Sequence, residues 1–198
     1  MWSGSGDGAR DAVEAYGELG TPSAGSLGGV TFLGLQSRSD DHFAWGRRYY
    51  AKGGFFHTIS ADAVSLITAS LAQAPTADCE IYVLQLGGAV SEMPDGTTAY
   101  TGRQAGFYWI VEPVWDDPAD DTRCLTWGRQ TAAQLSALSM SGNYVNEQSD
   151  AGGDVTLNAY GTQKYARLAA LKARYDPENL FRLNQNLTPT PRHDAAPI

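Results

Sequence analysis

Two strand-like stretches constrain the fold of this chain more than any other feature of its sequence. Residues 79–88, CEIYVLQLGG, are apolar on both alternating faces and end in two glycines, a pattern that predicts a central β-strand. Residues 97–115 are also strand-like, and Gly102 and Gly106 within them indicate a turn or a bulge. The chain is therefore expected to fold around a sheet.

Helical signals are distributed unevenly around these strands. Ser60 is predicted to cap one helix, Asp117 and Pro118 to open a second, and a last helix is predicted over about 161–174. This order favours an α+β fold, an antiparallel β-sheet with helices packed on one face, over a regularly alternating parallel sheet. The residues predicted to face inward are Val64, Ile67 and Leu71, then Cys124, Trp127, Thr131, Leu135 and Leu138, and then Tyr165, Leu168, Leu171 and Tyr175.

Composition excludes several classes of partner. The formal net charge of the 198-residue chain is -8, which argues against nucleic acid and anionic membranes. Two cysteines and three scattered histidines have no metal-ligand spacing, so no metal is expected. The sequence has no apolar run long enough for a bilayer and no recognisable secretory signal, and this pattern predicts a cytoplasmic protein.

A phenol and a carboxamide stand two residues apart in GNYVNE, residues 142–147. If this segment is a short strand, Tyr144 and Asn146 point to the same face. Such a pair can bind the edge of a heteroaromatic ring or position a substrate proton. A buried structural hydrogen bond between the two side chains is an equally good interpretation.

The segment DPENLFRLNQN, residues 176–186, combines a predicted turn with a polar tail. Asp176 is the expected cap, and Leu180 and Phe181 are expected to anchor the turn in the core. Asn184 and Asn186 alternate after the turn and would share a face in extended chain. The alternative interpretation is that both asparagine side chains are exposed to solvent on a tail.

Together these stretches resemble a known family. The run GNYVNEQSD…LNAYGTQKYARLAALKARYDPENLFRLNQNLTP is similar to the carboxy-terminal signature of berberine-bridge-enzyme-like flavoproteins, which are FAD-dependent oxidoreductases of the vanillyl-alcohol oxidase type. The resemblance extends upstream through KGGFF, VLQLGGAVSEMPDGTTAYTGR and LTWGR, over roughly residues 20–190.

The resemblance implies a fold, a cofactor and a chemistry. It implies a substrate-binding domain whose sheet carries helices on its outer side and forms the roof over the flavin on the other. It implies hydride transfer from a small organic substrate (an alcohol, sugar or amine) to FAD while a base accepts a proton. Tyr144 and Asn146 fall on the family's Tyr-x-Asn motif beside the flavin ring, and Asn184 and Asn186 are expected near the flavin and the domain junction.

Two departures from the family pattern shape the expectations. The sequence shows no glycine-rich FAD-binding domain, so the resemblance implies the substrate-domain portion alone. Residues 1–20, predicted as a loose N-terminus and a short helix, are then a remnant of the domain junction, 21–175 the substrate domain, and 176–198 a turn and tail returning toward the FAD domain. The chain by itself is expected neither to hold FAD tightly nor to turn over, and its partner is expected to be a separate FAD-binding chain or a second copy.

The catalytic base is left open between two residues. The family often has an aromatic residue directly after Tyr-x-Asn, and this sequence has Glu147 there. Glu147 and Tyr144 are both candidates. Arg103 is a candidate for binding a substrate carboxylate or stacking on an aromatic substrate, with a structural ion pair as its alternative. The rival function is a non-catalytic module that binds a small molecule or a protein.

Overall fold

The computed structural model describes residues 29–183 and 185–190, together with residues 8, 9, 11 and 14. The predicted loose segment and helix at 1–20 therefore lie mostly outside the described residues, as does Asn184. Within the described part of residues 29–190 the α-helices are α1 (Phe32–Gln36), α2 (Ala61–Leu71), α3 (Ala89–Glu92), α4 (Asp121–Ser136) and α5 (Gly153–Tyr175). The strands are β1 (Arg48–Tyr49), β2 (Lys52–Phe56), β3 (Glu80–Gln85), β4 (Phe107–Glu112) and β5 (Val114–Trp115). Short 3-10 helices span Ser37–Ser39, Asp95–Thr97, Pro118–Asp120 and Val145–Glu147.

The chain divides into two compact units, Met1–Ala44 and Trp45–Ile198. The first contains α1, which is capped by Thr31, whose Oγ1 accepts a hydrogen bond from the Gly34 amide at 3.0 Å. The second contains all the strands and helices α2 to α5. None of the helices in the described part of the chain combines the length and apolar character that a membrane-spanning segment needs.

The main sheet is antiparallel and has the strand order β2-β4-β3. The prediction that residues 79–88 form the central strand is therefore wrong, because β3 lies at an edge and β4 is central. Strands β1 and β5 form a separate antiparallel pair. The predicted long strand over 97–115 is present only as β4 and β5, since the backbone turns at Gly102, where φ is 81°.

One face of the main sheet is covered by helices, as the α+β prediction requires. Trp109 and Val111 of β4 point to this face and are fully buried with Phe56 of β2. Helix α2 and helix α4 pack over them. The residues of this face alternate along β4 with Tyr108, Ile110 and Glu112, which point to the opposite face because the side-chain period of a strand is two.

The glycine pair of KGGFF gives the sheet its aromatic packing on both faces. A Cβ on Gly54 would lie 2.7 Å from Cζ2 of Trp109, and a Cβ on Gly53 would lie 2.2 Å from the Tyr108 hydroxyl oxygen. Both contacts are too short for any larger residue. The two glycines therefore let one large ring lie against the strand on each face.

Helix α2 begins where its cap predicts, but it buries a different stripe. The Ser60 Oγ accepts a hydrogen bond from the Ala63 amide at 3.1 Å, which satisfies one of the free amides of the first turn. Ala63 and Ser70 are the buried positions, whereas Val64 and Leu71 of the predicted stripe are exposed. Ile67 is partly buried against the core, as expected.

Helix α4 follows its predicted pattern more closely. Asp117 caps the short 3-10 turn that leads into it, with Oδ1 accepting from the Ala119 amide at 2.9 Å. The predicted inward residues Cys124, Trp127, Thr131 and Leu135 are buried, and only Leu138 is exposed beyond the helix end.

The last helix and the turn after it differ from expectation. Helix α5 is kinked at Gly161, whose φ of 68° is not helical, so the part after the kink confirms the helix predicted over about 161–174 and the part from Gly153 to the kink was not predicted. Asp176 accepts hydrogen bonds from the amides of Leu180 and Phe181, as a cap should. The prediction that these two side chains anchor the turn in the core is wrong, because they are 69% and 83% exposed.

Candidate functional site

The sheet face opposite helices α2 and α4 carries tyrosines and glutamates. Tyr82 and Glu80 of β3 stand on it beside Tyr108, Ile110 and Glu112 of β4. Residues 140–148 run along the β2 side of this face, held by a bridge between Phe55 and Met140 and another between Lys52 and Gln148. The result is a face with tyrosines and glutamates that this segment partly covers, since Phe55 and Ile110 are 1% and 0% exposed, while the other side of the sheet carries the core under helices α2 and α4.

The Tyr144–Asn146 pair forms, although its backbone is not a strand. Residues Val145–Glu147 are a 3-10 turn, so the prediction of a short strand at 142–147 is wrong. The Asn146 Nδ2 donates a hydrogen bond to the Tyr144 hydroxyl at 2.8 Å. Because the hydroxyl oxygen accepts this bond, its own hydrogen remains available to donate to a third group. Tyr144 is partly buried and Asn146 is exposed, so this pair lies at the surface of the face.

Tyr108 is the most deeply buried tyrosine of the face. Its ring meets Tyr144 edge to face, with centroids 6.0 Å apart, and only 6% of the residue is exposed. Its hydroxyl is buried and makes no hydrogen bond to any described residue. Burial, reinforced by the charge of Glu147, raises the pKa of Tyr108 far above its usual value. This phenol therefore stays protonated and has a hydrogen to donate.

Three carboxylates border the tyrosines. Burial, with repulsion from Glu80 and Glu147, raises the pKa of Glu112 from 4.5 to about 7. Burial also raises the pKa of Glu147, and the pKa of Tyr82 is raised by burial and by the charge of Glu147. A carboxyl group that titrates near neutral pH can accept or hold a proton under physiological conditions.

Arg103 lies beside Tyr100, whose ring contacts the Tyr144 ring with centroids 5.9 Å apart. Its guanidinium donates to the Val90 carbonyl at 2.8 Å and to the Thr98 hydroxyl at 2.7 Å. Its Cζ also lies 5.2 Å from the centroid of the Tyr100 ring. Its Nε is buried without a partner among the described residues. Both terminal nitrogens of Arg103 thus donate hydrogen bonds within the chain. The proposed contact of Arg103 with substrate stays a prediction.

Asn186 lies apart from the tyrosines. Its backbone carbonyl accepts a hydrogen bond from Thr156 of α5 at 3.5 Å, and its side-chain Oδ1 is buried without a partner in the described chain. The expected place of Asn186 beside a flavin stays a prediction, and the same prediction for Asn184 falls outside the described residues.

Sequence reasoning found Tyr144, Asn146 and Glu147 but missed Tyr108, Tyr82 and Glu112. Their signal was present in the alternation of YWIVE, in which Tyr108 and Glu112 occupy positions of the same parity. The strand pairing was needed to align them with Tyr82 and Glu80, because the register across two strands is not written in either strand alone.

A sizeable concavity of the described residues lies elsewhere. A cavity of about 540 Å³ is bordered by the start of α5 and by loop residues such as Thr101 and Ser141. Its lining includes neither the predicted site residues nor the tyrosines of the sheet face opposite helices α2 and α4. In the described residues no group of three or more His, Cys, Asp or Glu side chains converges to hold a metal ion. The convergent titratable groups therefore make the sheet face the better candidate site.

Comparison with known proteins gives this surface a context. Residues 143–188 match the family described as "Berberine and berberine like". The chain is 24% identical over 191 residues to an FAD-linked oxidoreductase of Dictyostelium discoideum, covering 96% of this chain and 41% of that protein. It is 28% identical over 151 residues to the uncharacterized FAD-linked oxidoreductase YvdP of Bacillus subtilis, covering 74% of this chain and 30% of that protein.

A solved structure has the same fold. The structure of 6-hydroxy-D-nicotine oxidase from Arthrobacter nicotinovorans aligns with a TM-score of 0.74 at 20% identity, over 94% of this chain and 43% of that one. The antiparallel sheet with helices on one face is thus the substrate-domain fold of FAD-linked oxidases.

The chain is thus similar to the berberine and berberine-like family over residues 143–188 and to FAD-linked oxidoreductases over most of its length, and the cofactor of these relatives is FAD. It spans only 41% and 30% of the lengths of the two relatives named above.

Proposed function

We propose that this chain is the substrate-binding portion of an FAD-dependent oxidoreductase, and that the tyrosine-bearing sheet face is one wall of its active site. The observation that carries the proposal is the Tyr108 hydroxyl, a buried donor without a partner among the described residues, on the face opposite the α2–α4 layer. Buried polar groups are almost always hydrogen-bonded in complete sites. A ligand on this face would supply the missing acceptor.

The same face fits a flat conjugated ring with heteroatoms at its edge. Tyr108 and Tyr144 each have a phenolic hydrogen to donate, and Asn146 fixes the orientation of the second. Donors of this kind stabilise negative charge on a reduced ring system. When bound, FAD would supply the acceptor for the hydride that leaves a substrate C–H bond.

Within this proposal the chain's own residues orient the substrate and accept its proton. Glu147 is our preferred proton acceptor, since it follows the Tyr144–Asn146 pair directly and burial raises its pKa. A raised pKa makes a carboxylate a stronger base, so it can accept a proton from an O–H or N–H group beside the reacting carbon. Tyr144 is the alternative acceptor, and in that role its phenol would be deprotonated and would not donate to the ring.

Two chain arrangements would complete the site: a separate FAD-binding chain or a second copy of this one. The chain alone is expected to hold FAD weakly, because it would contact only one side of the ring. Mixing the purified chain with FAD, followed by gel filtration and measurement of the retained flavin absorbance, tests this expectation. Stoichiometric retention by the chain alone would contradict it.

Activity is tested by joining this chain to the FAD-binding portion of the Bacillus subtilis relative. The joined protein is presented, without oxygen, with amines, alcohols and sugars, and bleaching of the oxidised flavin absorbance is recorded. We expect stable flavin retention and bleaching by at least one class of substrate. Glu147→Gln should slow bleaching while leaving flavin retention intact, and Glu92→Gln, on the exposed helix α3, is the matched control. Failure of the joined protein to retain flavin would refute the proposal and favour a non-catalytic binding module.

A further inference from the structure

The loop of residues 93–106, which joins α3 to β4, is bound to helix α5 by a buried lysine. The Lys164 ammonium donates a hydrogen bond to the Tyr100 carbonyl at 2.7 Å and forms an ion pair with Asp95 at 2.9 Å. Asp95 lies in the short 3-10 turn of this loop, five residues before Tyr100. One side chain of α5 therefore fixes the loop at two positions.

The burial of Lys164 is unusual for a lysine. Only 9% of the residue is exposed, and lysine is almost never buried unless it is paired, because its ammonium loses its hydration. The side chain of Asp95 is 60% exposed, so water screens the ion pair and it offsets little of this loss. The hydrogen bond to the Tyr100 carbonyl is therefore the contact that best accounts for the position of Lys164.

The ring of Tyr100 connects this contact to the proposed site. Its centroid lies 5.9 Å from that of the Tyr144 ring, which also meets the Tyr108 ring edge to face at 6.0 Å. Tyr108 belongs to the central strand β4, so strand pairing fixes its backbone. Tyr100 lies in a loop instead, and Lys164 binds its backbone directly.

Arg167 provides an internal comparison for Lys164. It lies one helical turn further along α5, is exposed, and donates from Nη1 to the Gly96 carbonyl at 2.9 Å. It makes the same kind of bond to the same loop, but four residues away from Tyr100. A residue that merely holds the loop and a residue that orients Tyr100 can therefore be distinguished within this chain.

We infer that Lys164 is a positioning residue of the proposed site: by binding the Tyr100 carbonyl, it places the Tyr100 ring so that the Tyr144 phenol has one orientation. This inference rests on the proposed function, because the Tyr144 hydroxyl is one of the donors of that site. Lys164 acts through Tyr100 and contacts neither the substrate nor the flavin.

NMR of the full chain without flavin tests the contact itself. Lys164→Met removes the ammonium and keeps most of the apolar stem of the side chain. The ring signals of Tyr144, identified by their loss in Tyr144→Phe, should move in Lys164→Met and stay in place in Arg167→Met. Unmoved Tyr144 signals in Lys164→Met, or equal movement in both variants, overturn the inference.

A double-mutant cycle in the joined protein tests the consequence for the reaction. Lys164→Met should slow flavin bleaching at saturating substrate about tenfold, because a misplaced donor costs rate, and should leave flavin retention and the half-saturating substrate concentration unchanged. In a Tyr100→Leu background the same substitution should cause no further loss, since residues that act through one contact are not additive. A full additional loss in that background overturns the inference.

The two experiments separate this inference from the proposed function. If Lys164→Met does not fold by circular dichroism, Lys164→Gln decides, because glutamine keeps a donor but is too short to reach the Tyr100 carbonyl from the same position. Unmoved Tyr144 signals in Lys164→Gln then overturn the inference. If the Tyr144 signals move as expected but the joined protein retains no flavin, the control of Tyr144 by Lys164 stands and the oxidoreductase proposal fails.

Discussion

Replacing Glu112 by glutamine should stabilise the fold, and more so at high pH. Burial and two neighbouring glutamates raise the pKa of Glu112 from 4.5 to about 7 in the folded chain. The folded state therefore binds this proton more tightly than the unfolded state does. The stability that the protonated group contributes is fully present at low pH and is lost as pH rises from 4.5 through about 7.

The magnitude follows from the size of the shift. One pKa unit corresponds to about 1.4 kcal/mol, so a rise from 4.5 to about 7 corresponds to roughly 3 kcal/mol. Glu112 is only partly buried, and water screens part of this interaction, so we expect about 2 kcal/mol. Glutamine keeps the shape and cannot ionise.

Urea unfolding of the wild type and of Glu112→Gln, at about pH 5 and about pH 8, measures the effect. The other titratable groups facing Glu112 are Glu80, Glu147, Tyr82 and Tyr108, and they are common to both proteins. The advantage of the variant should therefore grow by about 2 kcal/mol between the two pH values. The reasoning is refuted if both proteins lose stability in parallel as pH rises, and Glu92→Gln should show only that parallel behaviour.

Three further substitutions test the packing and the polar contacts of the fold. Gly53→Ala places a Cβ 2.2 Å from a tyrosine hydroxyl and 2.7 Å from a backbone oxygen, so thermal melts should show a loss of about 1–3 kcal/mol, whereas Gly96→Ala, with nothing within 4 Å, should be nearly neutral. Ser60→Ala removes the cap of α2 and should cost about 1 kcal/mol in urea unfolding, with Ser60→Asp restoring most of it. Asp150→Asn removes a carboxylate that binds a lysine, an arginine and a tyrosine hydroxyl. The pKa of Asp150 is lowered in the folded chain, so the stability that these contacts contribute is present above the usual pKa of the group and is lost in acid. In urea unfolding the variant should be less stable than wild type by about 1–3 kcal/mol at neutral pH, and the two proteins should converge at low pH.

Local signals predicted the parts of the fold that depend on local chemistry. The caps at Ser60 and Asp117 are interactions between near neighbours, and both form as expected. The stripe on α4 was also found because a long helix repeats its pattern over several turns. The exposed Val64 and Leu71 on α2 show the limit of that approach, since a shorter helix buries whichever small residues fit its neighbour.

The site depended on long-range pairing that the sequence does not encode locally. Tyr144 and Asn146 were found as a pair, but by assuming a strand where the chain makes a 3-10 turn. Tyr82, Tyr108 and Glu112 come together only through the register of β3 and β4. Leu180 and Phe181 were predicted to be buried because apolar residues after a cap normally pack in a core. In the described chain both side chains are exposed.

Footprinting of the tyrosine-bearing sheet face tests the central claim most directly. In the protein joined to the FAD-binding portion of the Bacillus subtilis relative, hydroxyl radicals would modify accessible side chains with and without FAD. FAD is expected to protect Tyr82 and Tyr144, while Val64 on the helix-covered side reacts equally in both conditions. Unchanged reactivity of both tyrosines in the flavin-loaded protein would contradict it.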